Sequence, residues 1–266
     1  WRRPLGVVFQ QPSLFPHLSV MGNLQYGLRR ANGNRRRLEQ AIELFGIAPL
    51  LDRPPERLSG GEQSRVAIAR ALAVDPQLIL MDEPMAALDH DRKAEILPYL
   101  ERLHDELDLP VIYVSHAPDE IARLADHLVV MAKGSVLASG PIAETLARID
   151  LPIRLGEDTG VVVDATIVER DTEWSLARAA FAGGSLWVRD NGWPVGRRIR
   201  LRILARDVSL CGTARDDSSI LNSLPAQVVE SAPDVHPALS LVRLRVGDTA
   251  FVARLTRRSA QHLGIA

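Results

Sequence analysis

Two short motifs hold the residue types that anion binding and water activation require. The first is Leu58-Ser59-Gly60-Gly61-Glu62-Gln63, and the second, Met81-Asp82-Glu83-Pro84, begins 19 residues after Glu62. A serine followed by two glycines at the start of a helix offers a hydroxyl and backbone N–H groups to an anion, which the helix dipole also favours. Taken alone, the first motif is also consistent with an ordinary serine cap before a glycine turn.

The second motif places two acidic residues after the apolar run Leu78-Ile79-Leu80-Met81. Open α/β sheets bind ligands at the carboxyl ends of their parallel strands. At such a position Asp82 could hold Mg²⁺ through water, and Glu83 could act as the general base that polarises an attacking water molecule. A lone Asp-Glu pair is more often a solvated strand end, so this interpretation depends on the rest of the chain.

Three further polar residues follow strand-like or acidic segments in a consistent order: Gln10 after the first strand, Asp89 after the acidic pair, and His116 after Val114-Ser115. His116 could contact a γ-phosphate, and Gln10 could sense Mg²⁺ and water. Each residue alone is more often a polar cap. Their order and spacing, together with the two motifs, leave little room for coincidence. The sequence does not decide whether the His116 imidazole acts neutral or protonated.

With this set of motifs, residues 1–150 resemble the ABC family of ATPases. The resemblance identifies Ser59-Gly60-Gly61 as part of the signature motif, Asp82 as the Walker B acid, Glu83 and His116 as catalytic residues, and Asp82 with Gln10 as the Mg²⁺ ligands. It also implies ATP and Mg²⁺ as cofactors. The nucleotide-binding residues that it implies are Gln10, Ser59, Gly60, Gly61, Glu62, Gln63 and Asp89.

The resemblance further implies a head-to-tail homodimer, in which the signature motif of one subunit closes on nucleotide held by the other. The reaction is then an in-line phosphoryl transfer to water, catalysed by positioning and electrostatics. One departure is large, because no Gly-x-x-x-x-Gly-Lys-Ser/Thr phosphate-binding loop occurs in the sequence. We expect that loop to precede Trp1 in a longer protein, and we expect this chain alone to hydrolyse ATP poorly.

The elements that must position these residues alternate between strands and helices over residues 1–150. Strand-like runs at 5–9, 77–81, 111–115 and 127–131 are separated by helical stretches. Such alternation predicts an α/β fold with a parallel sheet. The family resemblance implies that this fold is a partial P-loop NTPase core with a helical subdomain. Asp91 to Leu107 is predicted to be an amphipathic helix, which Pro98 should kink unless it lies near the first turns.

From about residue 150 the pattern changes to short alternating runs separated by turn pairs such as Gly183-Gly184 and Gly247-Asp248. This pattern predicts a second domain over residues 151–266, a small β-barrel or sandwich. The family resemblance of three of its segments implies the barrel, of OB-like or Mop type. Segments 197–210, 219–226 and 253–260 resemble the C-terminal oxyanion-binding Mop module of the molybdate-importing branch of the family. Donors suited to a tetrahedral oxyanion are Ser219, Asn222, Thr256, Arg257, Arg258 and Ser259. A solvated basic strand face is the alternative for each of them.

The resemblance therefore implies the ATPase subunit of an importer, most closely one for molybdate, peripheral on the cytoplasmic face and docked on membrane permease subunits. Sulfate, iron or polyamine import stays open, and so does a regulatory module that binds oxyanion without hydrolysing ATP. A net charge of −1, from 32 basic and 33 acidic residues, argues against a nucleic-acid partner. The single cysteine, Cys211, excludes an internal disulfide and fits a reducing compartment.

Overall fold

The computed structural model describes residues 4–31, 34–151, 159–213 and 218–265. The chain divides into two compact units, Trp1–Leu124 and Ala125–Ala266. This division precedes the change of sequence pattern near residue 150, so the last part of the predicted first domain belongs to the second unit. No helix in the described ranges has the length and the apolar character needed to cross a lipid bilayer.

The first unit is built on a three-stranded parallel sheet in the order β1-β2-β3. Its strands are β1 (Leu5–Val8), β2 (Leu78–Asp82) and β3 (Val111–Val114). Val8 pairs with Met81, and Asp82 pairs with Val114, so the carboxyl ends of all three strands reach the same edge of the sheet. Ile79 and Met81 of the central strand are fully buried, which explains the apolar run that ends in the acidic pair.

The five α-helices in the described part of this unit share one apolar core with the sheet: α1 (Val20–Ala31), α2 (Arg35–Leu44), α3 (Gly60–Ala73), α4 (His90–Glu106) and α5 (Pro118–Leu124). The predicted helix at residues 91–107 is present as α4, which passes through Pro98 without interruption. Its buried face, formed by Ile96, Leu97, Leu100 and Leu103, has the spacing of an amphipathic helix and holds the helix on the core.

The parallel sheet is smaller than predicted, because the fourth strand does not join it. Residues 127–131 lie in β4 (His127–Ala132), which pairs antiparallel with β5 (Ser135–Pro141) in a separate two-stranded sheet. The two residues between them, Lys133 and Gly134, both have positive φ angles, 49° and 78°. A two-residue turn of this kind closes an antiparallel hairpin. The turn therefore pairs this strand with β5, although the alternation of strands and helices predicts that it joins the parallel sheet. Helix α6 (Ile142–Leu146) follows.

The rest of the second unit contains two antiparallel sheets. One has the order β8-β7-β6-β9, and its strands are β6 (Gly160–Asp171), β7 (Leu176–Phe181), β8 (Gly184–Arg189) and β9 (Arg198–Leu204). The other has the order β10-β11-β12, and its strands are β10 (Gln227–Pro233), β11 (Leu239–Val246) and β12 (Thr249–Thr256), followed by helix α7 (Arg257–His262). Buried residues of both sheets share one core, which includes Val161, Val163, Val242 and Val252.

The predicted small barrel is not confirmed, because strands β6 to β12 of the described ranges form two open sheets and no closed ladder. After β9 the chain leaves its sheet through a 3-10 turn at Ala205–Asp207. Ala205 is fully buried in the core that this turn shares with β12. The turn is therefore anchored in the core that the two sheets share, and the Ala205 N–H donates a 2.8 Å hydrogen bond to the Thr159 carbonyl.

Candidate active site

The predicted catalytic glutamate lies just past the end of the central strand. The backbone N–H of Glu83 donates a 2.9 Å hydrogen bond to the carbonyl of Val114, which extends the β2–β3 pairing by one residue. Glu83 itself has φ +44°. The chain then turns tightly, with the Ala86 N–H donating to the Glu83 carbonyl at 3.1 Å. The backbone around Glu83 is thus fixed on both sides.

Glu83 and His116 are brought together although 33 residues separate them. The Glu83 Oε1 lies 2.9 Å from the His116 Nδ1. The imidazole is 80% exposed and the carboxylate 29% exposed, so a ligand or water can reach both groups. A carboxylate in contact with an imidazole at a solvent-accessible strand edge has the geometry that general acid–base chemistry needs.

The two predicted Mg²⁺ ligands lie at or just after the carboxyl ends of two neighbouring strands. Asp82 is the last residue of β2 and is exposed, and Gln10 comes two residues after Val8 of the neighbouring strand. Within the described residues, no three His, Cys, Asp or Glu side chains gather around a common point. One carboxylate and one amide fit Mg²⁺, which prefers oxygen ligands and usually keeps several waters or takes substrate phosphates.

The signature-like motif forms a complete capping box at the start of α3. The Ser59 hydroxyl accepts a 3.2 Å hydrogen bond from the Glu62 N–H, and the Glu62 carboxylate accepts a 2.7 Å hydrogen bond from the Ser59 N–H. A side chain at Gly60 would place its Cβ 3.2 Å from the Leu88 side chain. The glycine therefore allows the start of α3 to approach the segment that carries Asp89.

Other predicted nucleotide-binding side chains have local partners. The Gln63 amide donates to the carbonyls of Pro55 and Leu58, both at 3.2 Å. Asp89 caps α4 by accepting a 2.9 Å hydrogen bond from the Arg92 N–H. Gly61 is buried in the first turn of α3. These contacts stabilise the first turns of α3 and α4. They are sufficient to explain why Gln63, Asp89 and Gly61 occur at these positions, even when no nucleotide is bound.

Some of the predicted oxyanion donors of the second unit already have hydrogen-bond partners within the protein, and others are exposed. The Asn222 side chain accepts from the Trp187 N–H at 2.7 Å and donates to the Trp187 carbonyl at 2.9 Å, as a neighbouring strand would. Thr256 caps α7 by accepting a 3.0 Å hydrogen bond from the Ser259 N–H. Ser219, Arg257 and Arg258 are exposed.

One buried carboxylate near the site was not singled out from the sequence. Glu120 of α5 is 3% exposed and accepts hydrogen bonds from Lys93, Tyr113 and Ser115. Burial would raise the pKa of its carboxyl, but the hydrogen bonds outweigh burial and hold the pKa below its ordinary value. Burial, and then the Glu120 charge, raises the pKa of the Tyr113 hydroxyl. The sequence shows Asp119-Glu120 only as ordinary acidic residues of a first helical turn.

Two more residues fix the segment that follows Gln10, a role that the sequence does not reveal. The fully buried Asn23 accepts a 2.7 Å hydrogen bond from the Phe15 N–H, and its amide donates to carbonyls of the same segment. Arg70 of α3 donates to the carbonyls of Ser13 and Pro12 at 3.0 and 3.3 Å. Asn and Arg are usually exposed, so only a structure shows that these two are anchors.

Comparison with known proteins places this arrangement in a family. The family model described as ABC transporter matches residues 1–86. The molybdenum import ATP-binding proteins ModC of Methylococcus capsulatus and Thiobacillus denitrificans are 64% and 66% identical to the chain; the alignments cover 99% and 100% of this chain and 74% of each relative. The solved structure of cbiO1 from Clostridium perfringens, described as part of the ABC transporter complex cbiONQ, is 33% identical with a TM-score of 0.50, over 55% of this chain and 61% of that one. The predicted resemblance to the ABC family of ATPases is therefore confirmed, and the chain belongs to the family of ABC transporter ATP-binding proteins that includes ModC.

Proposed function

We propose that this chain is the ATP-hydrolysing subunit of an ABC importer for molybdate. The contact between Glu83 and His116 at the carboxyl edge of the parallel sheet supports the hydrolytic part of this proposal. Identities of 64% and 66% to molybdenum import ATP-binding proteins, over nearly the whole chain, support the substrate. The subunit couples ATP binding and hydrolysis to transport through membrane permease subunits, on which it docks as a peripheral protein at the cytoplasmic face.

In this function Glu83 orients a water molecule and takes its proton as the water attacks the γ-phosphate. His116 contacts the γ-phosphate and holds the Glu83 carboxylate in place. Asp82 and Gln10 hold Mg²⁺, which neutralises phosphate charge when it is bound. Positioning and electrostatics supply most of the rate, because phosphoryl transfer to water requires no covalent intermediate with the protein.

The active form is a head-to-tail homodimer. Ser59, Gly60 and Gly61 of one subunit close on nucleotide bound by the other, where the start of α3 offers its dipole to the phosphates. Glu62, Gln63 and Asp89 keep the closing surface in shape through the capping and carbonyl contacts described above. Nucleotide binding closes the dimer and hydrolysis opens it, and the permease subunits follow these motions.

Residues 151–266 serve as a Mop-type module that binds cytoplasmic oxyanion and lowers transport when the oxyanion is plentiful. Hydroxyls and guanidinium groups at the start of α7, from Thr256, Arg257, Arg258 and Ser259, supply donors for a tetrahedral anion. Ser219 and Asn222 supply further donors, and Asn222 lies beside β8. This assignment rests on the donor chemistry and on the resemblance of the segments that contain them.

The test is the ATPase rate of the full-length natural protein with its permease subunits, measured for the native sequence and for Glu83→Gln while molybdate is titrated. We expect the variant to lose at least about 100-fold in kcat, because a positioned general base contributes that much or more. We also expect molybdate to change the native rate. The exposed Glu106, which pairs with Arg102 on α4, gives a matched control in Glu106→Gln.

Unchanged hydrolysis in Glu83→Gln would reject the catalytic role of the site. A native rate that is lost in the variant but indifferent to molybdate would keep the ATPase and reject the oxyanion-sensing module.

A further inference from the structure

The buried carboxylate of Glu120 gathers three hydrogen-bond donors from two other parts of the first unit. Its Oε1 accepts from the Lys93 ammonium of α4 at 2.9 Å. Its Oε2 accepts from the Tyr113 hydroxyl of β3 at 2.8 Å and from the Ser115 hydroxyl at 2.7 Å. Helix α4, helix α5 and the end of β3 therefore meet at one charged group.

Ser115 connects this group to the catalytic histidine. While its hydroxyl donates to Glu120, the same oxygen accepts a 3.0 Å hydrogen bond from the Ala117 N–H. Ser115 and Ala117 are the two chain neighbours of His116. The peptide that carries His116 is thus bridged on both sides, whereas the imidazole itself remains exposed and free to meet a ligand.

Stability alone does not explain why this site keeps an ion pair. Burying a carboxylate is costly, and a well-packed apolar group in its place is often neutral or more stable. A fully satisfied polar network instead fixes the geometry of the groups that it joins. A second ion pair between α4 and α5, Arg123 with Glu101 at 2.6 Å, is more exposed and already connects the two helices. The feature that distinguishes the Glu120 network is its contact with the histidine loop.

We propose that Glu120 is a positioning residue for hydrolysis: through Ser115 it fixes the loop that presents His116 to Glu83, and through Lys93 it ties this loop to α4. The inference rests on the proposed ATPase function. Lys93 lies in the first turn of α4, four residues after Asp89, the residue that caps the helix. The network therefore connects the histidine loop to the helix start that faces Gly60 of the signature motif.

The experiment measures kcat and KM for ATP in the full-length protein with its permease subunits. The variants are Glu120→Gln, which removes the charge, and Ser115→Ala, which cuts the link to the loop but leaves Glu120 its contacts with Lys93 and Tyr113. We expect each to lower kcat by about 10- to 100-fold, the loss that a small misplacement of a catalytic group causes. KM should change less than about 2-fold, because nucleotide binding is not disturbed. Glu101→Gln breaks the other α4–α5 ion pair and should leave both constants unchanged.

A double-mutant cycle with His116→Ala distinguishes positioning from a merely structural role. If Glu120 acts through His116, adding Glu120→Gln to His116→Ala lowers kcat no further. If the double variant loses kcat by the product of the two separate factors, Glu120 acts independently of His116 and the proposal is overturned. Ser115→Ala gives the same cycle if Glu120→Gln does not fold.

Native kcat in both Glu120→Gln and Ser115→Ala, with hydrolysis still lost in Glu83→Gln, overturns the positioning role alone. Absence of hydrolysis in the native protein overturns the proposed function, and the positioning role with it.

Discussion

Glu83 occupies a backbone conformation that is costly for its residue type. Its φ of +44° lies in the left-handed region, which costs a residue with a Cβ roughly 1–2 kcal/mol. The conformation persists because the Glu83 N–H is held by Val114 and its carbonyl by Ala86. Strain of this kind is tolerated where the surrounding structure overdetermines the backbone, and it is common at functional sites. Here it turns the chain sharply at the point where the carboxylate must meet His116.

This strain predicts an order of stability among variants that lack the catalytic carboxylate. Asn tolerates the left-handed region better than Gln does. We therefore expect Glu83→Asn to be more stable than Glu83→Gln: its free energy of unfolding, measured by urea denaturation, should be about 0.5–1 kcal/mol larger. At Glu101, inside α4, the order should reverse, because Asn is the poorer helix former. If Asn is no better than Gln at position 83, the backbone there is not strained.

At the residue scale the sequence predicts the catalytic side chains but not the residues that position them. The acidic pair and His116 are identified by their position after strands and by their order. Glu120 carries no such signal, because its burial depends on Lys93, which lies 27 positions away, and on the way α5 packs. Acidic residues in a first helical turn are usually exposed, so only the fold separates Glu120 from its neighbour Asp119.

At the scale of elements, helix α3 organises the segment that leads from Gln10 to α1. Arg70 near its end donates to the Ser13 and Pro12 carbonyls, and its guanidinium lies 5.4 Å from the centre of the Phe15 ring. Burial lowers the pKa of this guanidinium. The helix that Ser59 caps therefore also fixes the loop that follows Gln10, so a movement of α3 would displace both the signature motif and this loop.

Arg70→Lys should weaken this anchor although it preserves the charge. An ammonium is a point donor and cannot reproduce a planar fork that contacts two carbonyls and an aromatic face. We expect a loss of about 1–2 kcal/mol in the free energy of unfolding, measured by urea denaturation. Arg29 on α1, which is exposed and bonds only to Gln25 among the contacts described, provides the control. Arg29→Lys should stay within about 0.5 kcal/mol of the native protein; an equal effect at both positions would contradict the anchor.

Elements defined by strong local signals were predicted correctly, and the errors arose where pairing depends on distant strands. The serine cap at Ser59 and the amphipathic face of α4 are local features, and both are present. The strand at 127–131 was predicted in the right place but in the wrong sheet. A parallel partner is not encoded in a strand's own residues, whereas the Lys133-Gly134 turn after it favours an antiparallel hairpin.

At the scale of the whole chain, the two units have separate hydrophobic cores. Every buried residue of the largest cluster, from Val8 to Leu107, lies in the first unit. The other two clusters, which include Val161 to Ala253 and the smaller group around Ile167, lie in the second. The sequence predicts the change from an α/β pattern to a β-rich one. It does not specify whether the sheets close into a barrel, because closure depends on pairing between distant strands.

Separate cores predict that the units can be destabilised one at a time. Ile79 of β2 and Ile167 of β6 are both fully buried strand residues, one in each unit. Ile→Val removes one methylene and costs about 0.5–1.5 kcal/mol at such positions. In calorimetry of the full-length protein, Ile79→Val should lower the midpoint of one unfolding transition by a few degrees, and Ile167→Val should lower that of another. A single transition that both substitutions shift equally would show that the two cores unfold as one cooperative unit.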